Sequence, residues 1–329
     1  VPHYNRNAIA EMLGLSRHGL ELFEGHVGGG FGVRGELYPE DVLVCLGALR
    51  LGRAVKWIED RRENLVATNH SRDQVHRVRV GFDDRGFILG LDDEFWSDQG
   101  AYVRTHGATV SDIGSAMLPG PYVIPAFRTR GHIRITNKTP AGTYRAPGRY
   151  ESTFVRERVL DAVADRLGLN RIDVRRINFI DPAEMPFSRY YGALETTAIY
   201  DSGDYKRLLD RLLSYVDFNQ LESELSERRR NGELVGAGLG YYVEKSGLGP
   251  YDDVRVEIDA FGDVEVVTGA ASIGQGIETV IAQICADALG VDYQSVKVTH
   301  GQTDRIERGL GAFASRATVM TGTATFGAA

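Results

Sequence analysis

Two short stretches, far apart in the chain, follow the same strand–turn–strand plan, and this repetition constrains the fold more than any other feature. In the first, Val78, Val80 and Phe82 alternate with other residues, AspAspArgGly follows, and Phe87, Leu89 and Leu91 resume the alternation. In the second, Val254, Val256 and Ile258 lead into AspAlaPheGlyAsp, after which come Val264 and Val266. Period-two alternation around a Gly-containing turn predicts a β-hairpin. Aligning Val78 with Val254 sets Gly86 opposite Gly262 without a gap, so two halves built on one plan are expected.

Helices are expected around these hairpins. Residues 4–13 and Pro39–Leu51 are two, the latter with Val42, Cys45, Leu46 and Leu49 at helical spacing. In residues 151–167, Val155, Val159, Val163 and Leu167 step by four and Gly168 is placed as the C-terminal cap. Further helices are read at 173–177, from Tyr205 to the Arg228–Arg230 run, at Ile277–Leu289 and at 313–326, with a strand at Val296–Thr299. Residues 182–200 are aperiodic and read as an extended connector, which puts a boundary near 183–200. The fold class is α+β: two related lobes of mixed sheets with packed helices, residues 1–190 forming the first and 191–329 the start of a second.

A chain of 329 residues with 43% apolar content is long enough for two ordinary domains. Its 38 basic and 45 acidic residues form no long block of either sign, which argues against nucleic acid as a partner. Cys45 and Cys285 each follow apolar residues and are expected to be buried free thiols, not a disulfide or a metal site. No run reaches the roughly 18 apolar residues of a membrane span. The start, ValProHisTyrAsnArg, has no signal pattern, so a cytoplasmic chain taken from something longer is expected.

Three stretches offer main chain or small polar groups where an anionic, oxygen-rich ligand could lie. Gly28-Gly29-Gly30-Phe31-Gly32-Val33-Arg34 permits positive φ at several consecutive positions. Gly274-Gln275-Gly276 opens a helix whose first amides lack partners and whose dipole favours anions. Ala314-Ser315-Arg316-Ala317 supplies a hydroxyl and a guanidinium at the start of another expected helix. Each alone is weak: the glycine run is more often a tight turn than a ligand site, and GlyGlnGly by itself is a routine helix start. No GlyLysSer or GlyLysThr closes a Walker pattern, and the dinucleotide fingerprint lacks its strand-and-helix unit, so neither nucleotide fold is indicated. A fourth stretch, Thr139 to Arg149, sets Arg145 among turn-forming residues, either as a rigid loop with a surface ion pair or as a clamp on a polarised oxygen. The histidines are scattered, and no zinc site or other protein-ligated metal is proposed.

The order of these stretches resembles the large subunits of the molybdenum hydroxylases, the xanthine dehydrogenase, aldehyde oxidase and carbon monoxide dehydrogenase group, over nearly the whole chain. The matching motifs are GlyGlyGlyPheGly at 28–32, AspGlnGlyAlaTyr at 98–102, GlyProTyr at 120–122 and TyrArgAlaProGly at 144–148. They continue with the LeuGlyLeuAsn segment at 167–178, GlyGlnGlyIleGluThr at 274–279, HisGlyGlnThrAsp at 300–304 and PheAlaSerArgAla at 313–317. The resemblance implies a molybdopterin cofactor carrying molybdenum, in its cytosine dinucleotide form, with no protein ligand on the metal, and makes the two lobes molybdopterin-binding ones. It implies that the Phe31-Gly32 loop lies beside the metal, with Gly29 and Gly30 also binding the cofactor, and that Gly274, Gln275, Gly276, Ala314, Ser315 and Arg316 hold the pterin and pyrophosphate. Arg145 is implied to face a small-molecule substrate. The reaction implied is hydroxylation of an electron-poor carbon with oxygen from water, electrons leaving through iron–sulfur and FAD-binding partners in a dimeric full assembly.

Departures from the family pattern narrow the substrate. Carbon monoxide oxidisers have a copper-holding cysteine where this chain has Ala146, and purine hydroxylases have a glutamate where it has Gly35. An aldehyde or N-heteroaromatic substrate is the remaining expectation. The resemblance also implies that a glutamine reaching the metal's oxo group precedes Val1 and that the general-base glutamate lies beyond Ala329, so the chain alone is expected to be inactive. The alternative is a non-catalytic module that binds or stores the pterin cofactor.

Overall fold

The computed structural model describes residues 1–329. In chain order the elements are α1 (Pro2–Leu13), α2 (Pro39–Leu51), α3 (Arg61–Ala67), β1 (Gln74–Phe82), β2 (Ile88–Asp98), α4 (Gly107–Met117) and β3 (Ala126–Arg134). They continue with α5 (Arg149–Leu167), α6 (Arg171–Asn178), β4 (Phe187–Tyr191), β5 (Thr196–Tyr200), α7 (Tyr205–Tyr215) and α8 (Phe218–Arg230). The last are β6 (Val254–Ile258), β7 (Val264–Thr268), α9 (Ile277–Leu289), β8 (Val296–Thr299) and α10 (Gly322–Ala328). Two compact units result: residues 69–244 form one, and residues 1–68 with 245–329 form the other. Compactness thus divides the chain elsewhere than near residue 190, which falls inside the first of these units.

Both expected hairpins are present. β1 pairs antiparallel with β2, and β6 with β7; the turn glycines Gly86 and Gly262 have φ of 85° and 88°. The innermost pairs, Phe82 with Ile88 and Ile258 with Val264, occupy equivalent positions, and a bulge at Gly81/Phe82 shifts the rest of the first ladder. Each hairpin then gains a parallel third strand, β3 beside β2 and β8 beside β7. A parallel neighbour requires a crossover segment, and a helix supplies it in each case, α4 in one and α9 in the other. The repeated plan therefore extends from a hairpin to a whole three-stranded sheet with its crossover helix.

In the unit of residues 69–244, Ile88, Leu91, Tyr122, Val155, Leu160, Val163, Val174 and Phe179 form the core under β1–β3. α5 carries charges into this interior. Arg175, fully buried on α6, donates from Nε to Glu157 at 2.9 Å, pairs with Asp161 at 2.9 Å and donates to the Arg171 carbonyl at 3.0 Å. Buried charges persist only when paired in this way. Asn178, also fully buried, ties the hairpin turn to α6: its Oδ1 accepts the Ile88 N–H at 2.8 Å and its Nδ2 donates to the Gly86 carbonyl at 2.9 Å.

Four local expectations are corrected. Residues 182–200 are not an extended connector, because β4 and β5 form an antiparallel hairpin. Its inward row contains Arg189, whose guanidinium donates to the Gly120 and Tyr122 carbonyls, both at 2.7 Å; a cation on the buried face breaks the apolar alternation that would reveal a strand. The single helix expected from Tyr205 is two, α7 and α8, since Asp217 takes a φ of 44° and caps the second by accepting the Gln220 N–H at 3.4 Å. The helix expected over 313–326 begins only with a wide turn at Ala317–Thr321, because Ala314 and Ser315 are left-handed. Finally, α2 has its expected boundaries but buries none of its side chains: Val42, Cys45 and Leu46 are half-buried and Leu43, Leu49 and Leu51 exposed. Cys285 is wholly buried on α9.

The second sheet packs α9 through Val264, Val266, Ile277, Ile281 and Cys285. Glu265 on β7 ties this sheet to the segment beyond β8, its carboxylate accepting from Thr299 at 2.6 Å, from Lys297 at 3.0 Å and from Arg305 at 3.0 Å. The Thr299 hydroxyl and the Lys297 ammonium outweigh burial, with Arg305 adding to them, and the carboxyl is lowered from 4.5 to about 2. No helix is long and apolar enough to cross a membrane.

Asn178→Ala leaves buried hydrogen-bonding groups at Ile88 and Gly86 unpaired and lowers unfolding stability by roughly 2–4 kcal/mol, as urea denaturation will measure. Because the folded Glu265 pKa lies below its unfolded value, its stabilisation is complete above about pH 5 and is lost as the pH falls towards about 2. Glu265→Gln therefore has a denaturation midpoint that changes less than the parent's over that window.

Candidate functional site

Three stretches of left-handed backbone lie in the unit formed by residues 1–68 and 245–329. In the first, Gly28, Gly29, Phe31 and Gly32 have φ of 74°, 99°, 53° and 90°. At position 29 the φ of 99° disfavours any side chain, and a Cβ there would lie 2.5 Å from the Phe31 ring, which would have to move. The turn leaves the large apolar ring of Phe31 57% exposed.

In the second stretch Gly274 and Gly276 have φ of 98° and 76°, and Cβ atoms at either would meet nothing within 4 Å. The main chain here faces open space with no side chain between. Gln275 does not point away: its Oε1 accepts the Ile273 N–H at 2.7 Å and its Nε2 donates to the Ala271 carbonyl at 3.1 Å, so it shapes the loop. The first two stretches meet directly, Gly29 N–H donating to the Ile273 carbonyl at 2.8 Å. A cradle of main chain from two segments is the result.

Beyond Gly276, α9 begins with Glu278 in its first turn. His300 Nδ1 accepts the Ser272 N–H at 3.2 Å, which places the imidazole proton on Nε2, 3.1 Å from Glu278 Oε1. Burial alone pushes the Glu278 carboxyl up, but its own backbone N–H, Ser272 and His300 together hold it below its ordinary value. The neighbouring residues of the HisGlyGlnThrAsp motif fasten the approach to the glycine loop: Glu24 N–H donates to the Gly301 carbonyl at 2.8 Å and Leu22 N–H to the Thr303 hydroxyl at 2.9 Å.

The third stretch is strained. Ala314 and Ser315, neither of them glycine, have φ of 45° and 51°, a conformation costing about 1–2 kcal/mol per residue. Arg316 holds it in place. Its guanidinium is fully buried and donates to the Leu248 carbonyl at 2.8 Å, the Gly311 carbonyl at 3.0 Å, the Tyr251 carbonyl and Asp252 Oδ2 at 3.1 Å. Asp252 is itself fully buried and also accepts from Thr321. The Arg316 side chain is thus turned into the protein, and Ala314 and Ser315 are what the loop presents.

Arg145 belongs to the other compact unit. It is exposed, on a loop where Ala146 has φ of 56° and Gly148 of 70°. A Cβ at Gly148 would lie 2.4 Å from the Val110 carbonyl, so this loop packs main chain to main chain on α4. Asn69 donates to the Thr143 carbonyl at 2.9 Å and Arg72 to the Tyr144 carbonyl at 2.8 Å. Asp252, Asn69 and Arg72 escape sequence reading because each acts on residues far away in the chain.

A cradle of glycine main chain, open at Gly28, Gly274 and Gly276 where side chains would project, beside a helix N-terminus, suits the phosphate and pterin oxygens of such a cofactor. Residues 1–179 and 211–329 each match the family model described as molybdopterin cofactor-binding domain. The chain is 40% identical over 320 residues to subunit gamma of the 6-hydroxypseudooxynicotine dehydrogenase complex of Paenarthrobacter nicotinovorans, covering 97% of this chain and 40% of that one. It is 31% identical over 345 residues to the carbon monoxide dehydrogenase large chain of Hydrogenophaga pseudoflava, covering 98% and 42%. The crystal structure of quinoline 2-oxidoreductase from Pseudomonas putida 86 superposes with a TM-score of 0.91 at 34% identity, over 99% of this chain and 42% of that one. The chain spans about two fifths of the length of these relatives. It belongs to the molybdenum hydroxylase family, as part of the region that binds the molybdopterin cofactor.

Proposed function

We propose that this chain is the cofactor-holding part of a subunit that hydroxylates an N-heteroaromatic or aldehyde carbon with oxygen from water. The observation carrying this reading is the joined main-chain cradle of Gly28–Gly32 and Gly274–Gly276 in a chain matched by two molybdopterin-binding models. Residues 1–190 and 191–329 are read as two molybdopterin-binding lobes on one strand plan. The cofactor form proposed is the cytosine dinucleotide, and iron–sulfur and FAD-binding partners are proposed to receive the electrons. When bound, the molybdenum cofactor supplies two-electron oxidation and oxygen transfer.

The chain's own residues position and polarise. Gly29, Gly30 and Gly32 let the main chain come close, and Phe31 sets an apolar edge beside the reacting centre. Gly274, Gln275 and Gly276 hold the pterin and pyrophosphate, Gln275 by keeping the loop in shape. Ala314 and Ser315 contribute directly and Arg316 through the geometry it imposes on them. Arg145 faces the substrate and stabilises negative charge that grows there in the transition state. The N-heteroaromatic class is favoured by two relatives named for quinoline and a pseudooxynicotine, both built on a nitrogen-containing aromatic ring. Ala146 in place of a copper-holding cysteine argues against carbon monoxide.

In the complete subunit assembly, Arg145→Ala lowers kcat with a quinoline or pyridine substrate by on the order of 10²-fold, with molybdenum and pterin content unchanged. Unchanged turnover, or loss of the cofactor, would reject the assignment. Arg316→Ala strands a buried carboxylate at Asp252, costs roughly 3–5 kcal/mol, and lowers the pterin retained through gel filtration; full retention would remove the Ala314–Ser315 loop from the site.

A further inference from the structure

We propose that Arg72 is the positioning residue for the loop that presents Arg145. The two arginines belong to the same compact unit and are linked through main chain. Arg72 donates from one terminal nitrogen to the Tyr144 carbonyl at 2.8 Å and to the carbonyl of Arg145 itself. Its other terminal nitrogen pairs with Glu151 Oε1 at 2.9 Å, on the first turn of α5. The guanidinium carbon also lies 4.5 Å from the centre of the Tyr150 ring and 5.7 Å from that of Tyr144. One side chain therefore grips the loop before and after Arg145 and fastens it to the next helix.

Three further features say that this grip is built rather than incidental. Glu151 is 95% buried, so its carboxylate needs a cationic partner, and Arg72 and Ser71 both reach the same oxygen. Arg72 itself is held at a φ of 78°, and Ala146, next to the Arg145 carbonyl that Arg72 grips, at 56°; neither is glycine. Such conformations persist when surrounding contacts over-determine them, and they gather at functional sites. A guanidinium is suited to this task because its planar fork can serve two carbonyls, a carboxylate and an aromatic face at once, which an ammonium cannot.

The inference rests on the reading of Arg145 given above, but its test separates the two. Amide hydrogen exchange of residues 143–148, measured on the chain itself, reads the loop without any turnover. Arg72→Ala accelerates exchange there by at least tenfold, while exchange in β1–β3 is unchanged; Arg72→Lys gives an intermediate value. Unaltered exchange at 143–148 in Arg72→Ala overturns the proposal whatever Arg145 does. In the complete assembly, Arg72→Ala lowers kcat by on the order of 10²-fold, the effect of a small misplacement of a charge-stabilising group, with KM and molybdenum content little changed. The double variant Arg72→Ala/Arg145→Ala is no slower than Arg145→Ala alone, because Arg72 acts through Arg145. Multiplying losses in the double variant overturn the proposal while leaving the Arg145 assignment standing. If Arg145→Ala alone is fully active, that assignment fails, and the exchange measurement still decides the role of Arg72 in the loop.

Discussion

A guanidinium withdrawn from water must find partners for all of its N–H groups, and this requirement organises both compact units. In one, Arg175 is met by Glu157, Asp161 and a carbonyl of its own helix, which locks α6 against α5. Arg189 is met by two carbonyls of the 120–122 segment, which fixes the β4–β5 hairpin there. In the other unit Arg316 is met by Asp252 and three carbonyls, which fixes a loop whose backbone would otherwise relax. The Coulombic gain of such pairs is largely offset by desolvation. What they contribute is geometry: each guanidinium has one arrangement that satisfies it, so each loop it grips has one shape.

This explains the division of labour in the site. At Gly28, Gly274 and Gly276 the groups facing open space are main chain, which brings no side-chain entropy or bulk. Shape comes from polar side chains set behind the surface, Gln275 folded back on its own loop and Arg316 buried beneath Ala314 and Ser315. A cofactor that carries its own reactive metal needs such preorganised support more than it needs reactive side chains. The His300–Glu278 pair obeys the same logic, since an imidazole oriented by the Ser272 amide holds a carboxylate at the first turn of α9.

The duplicated sheet plan supplies the frame. A hairpin followed by a helical crossover and a parallel strand occurs twice, once in each compact unit. Chain order and compactness diverge, however, because residues 1–68 join residues 245–329 in one unit. The glycine loop at 28–32 is thereby bonded to the segment at 273, a pairing with no signature in the local sequence.

Local periodicity and turn chemistry determined much of this protein before any folding: the hairpins at Gly86 and Gly262, the bounds of α2, α9 and β8, the cap at Gly168, and the loops able to take positive φ. Those features depend on residues within a few positions of one another, so the sequence carries them openly. Tertiary structure decided the rest. It made a hairpin of residues 187–200, because an inward arginine there takes its partners from carbonyls at 120 and 122 and from the Tyr200 hydroxyl on the paired strand. It delayed the start of the helix expected from 313 until after 316, because a carboxylate at 252 draws the Arg316 side chain inward and stabilises a left-handed turn. It left α2 without a buried stripe despite its helical spacing, since burial depends on what packs against a helix and not on its own pattern. And it gave Arg72 its hold on the Arg145 loop, for its partners, the buried Glu151 carboxylate and the carbonyls of 144 and 145, are brought within reach only by the fold.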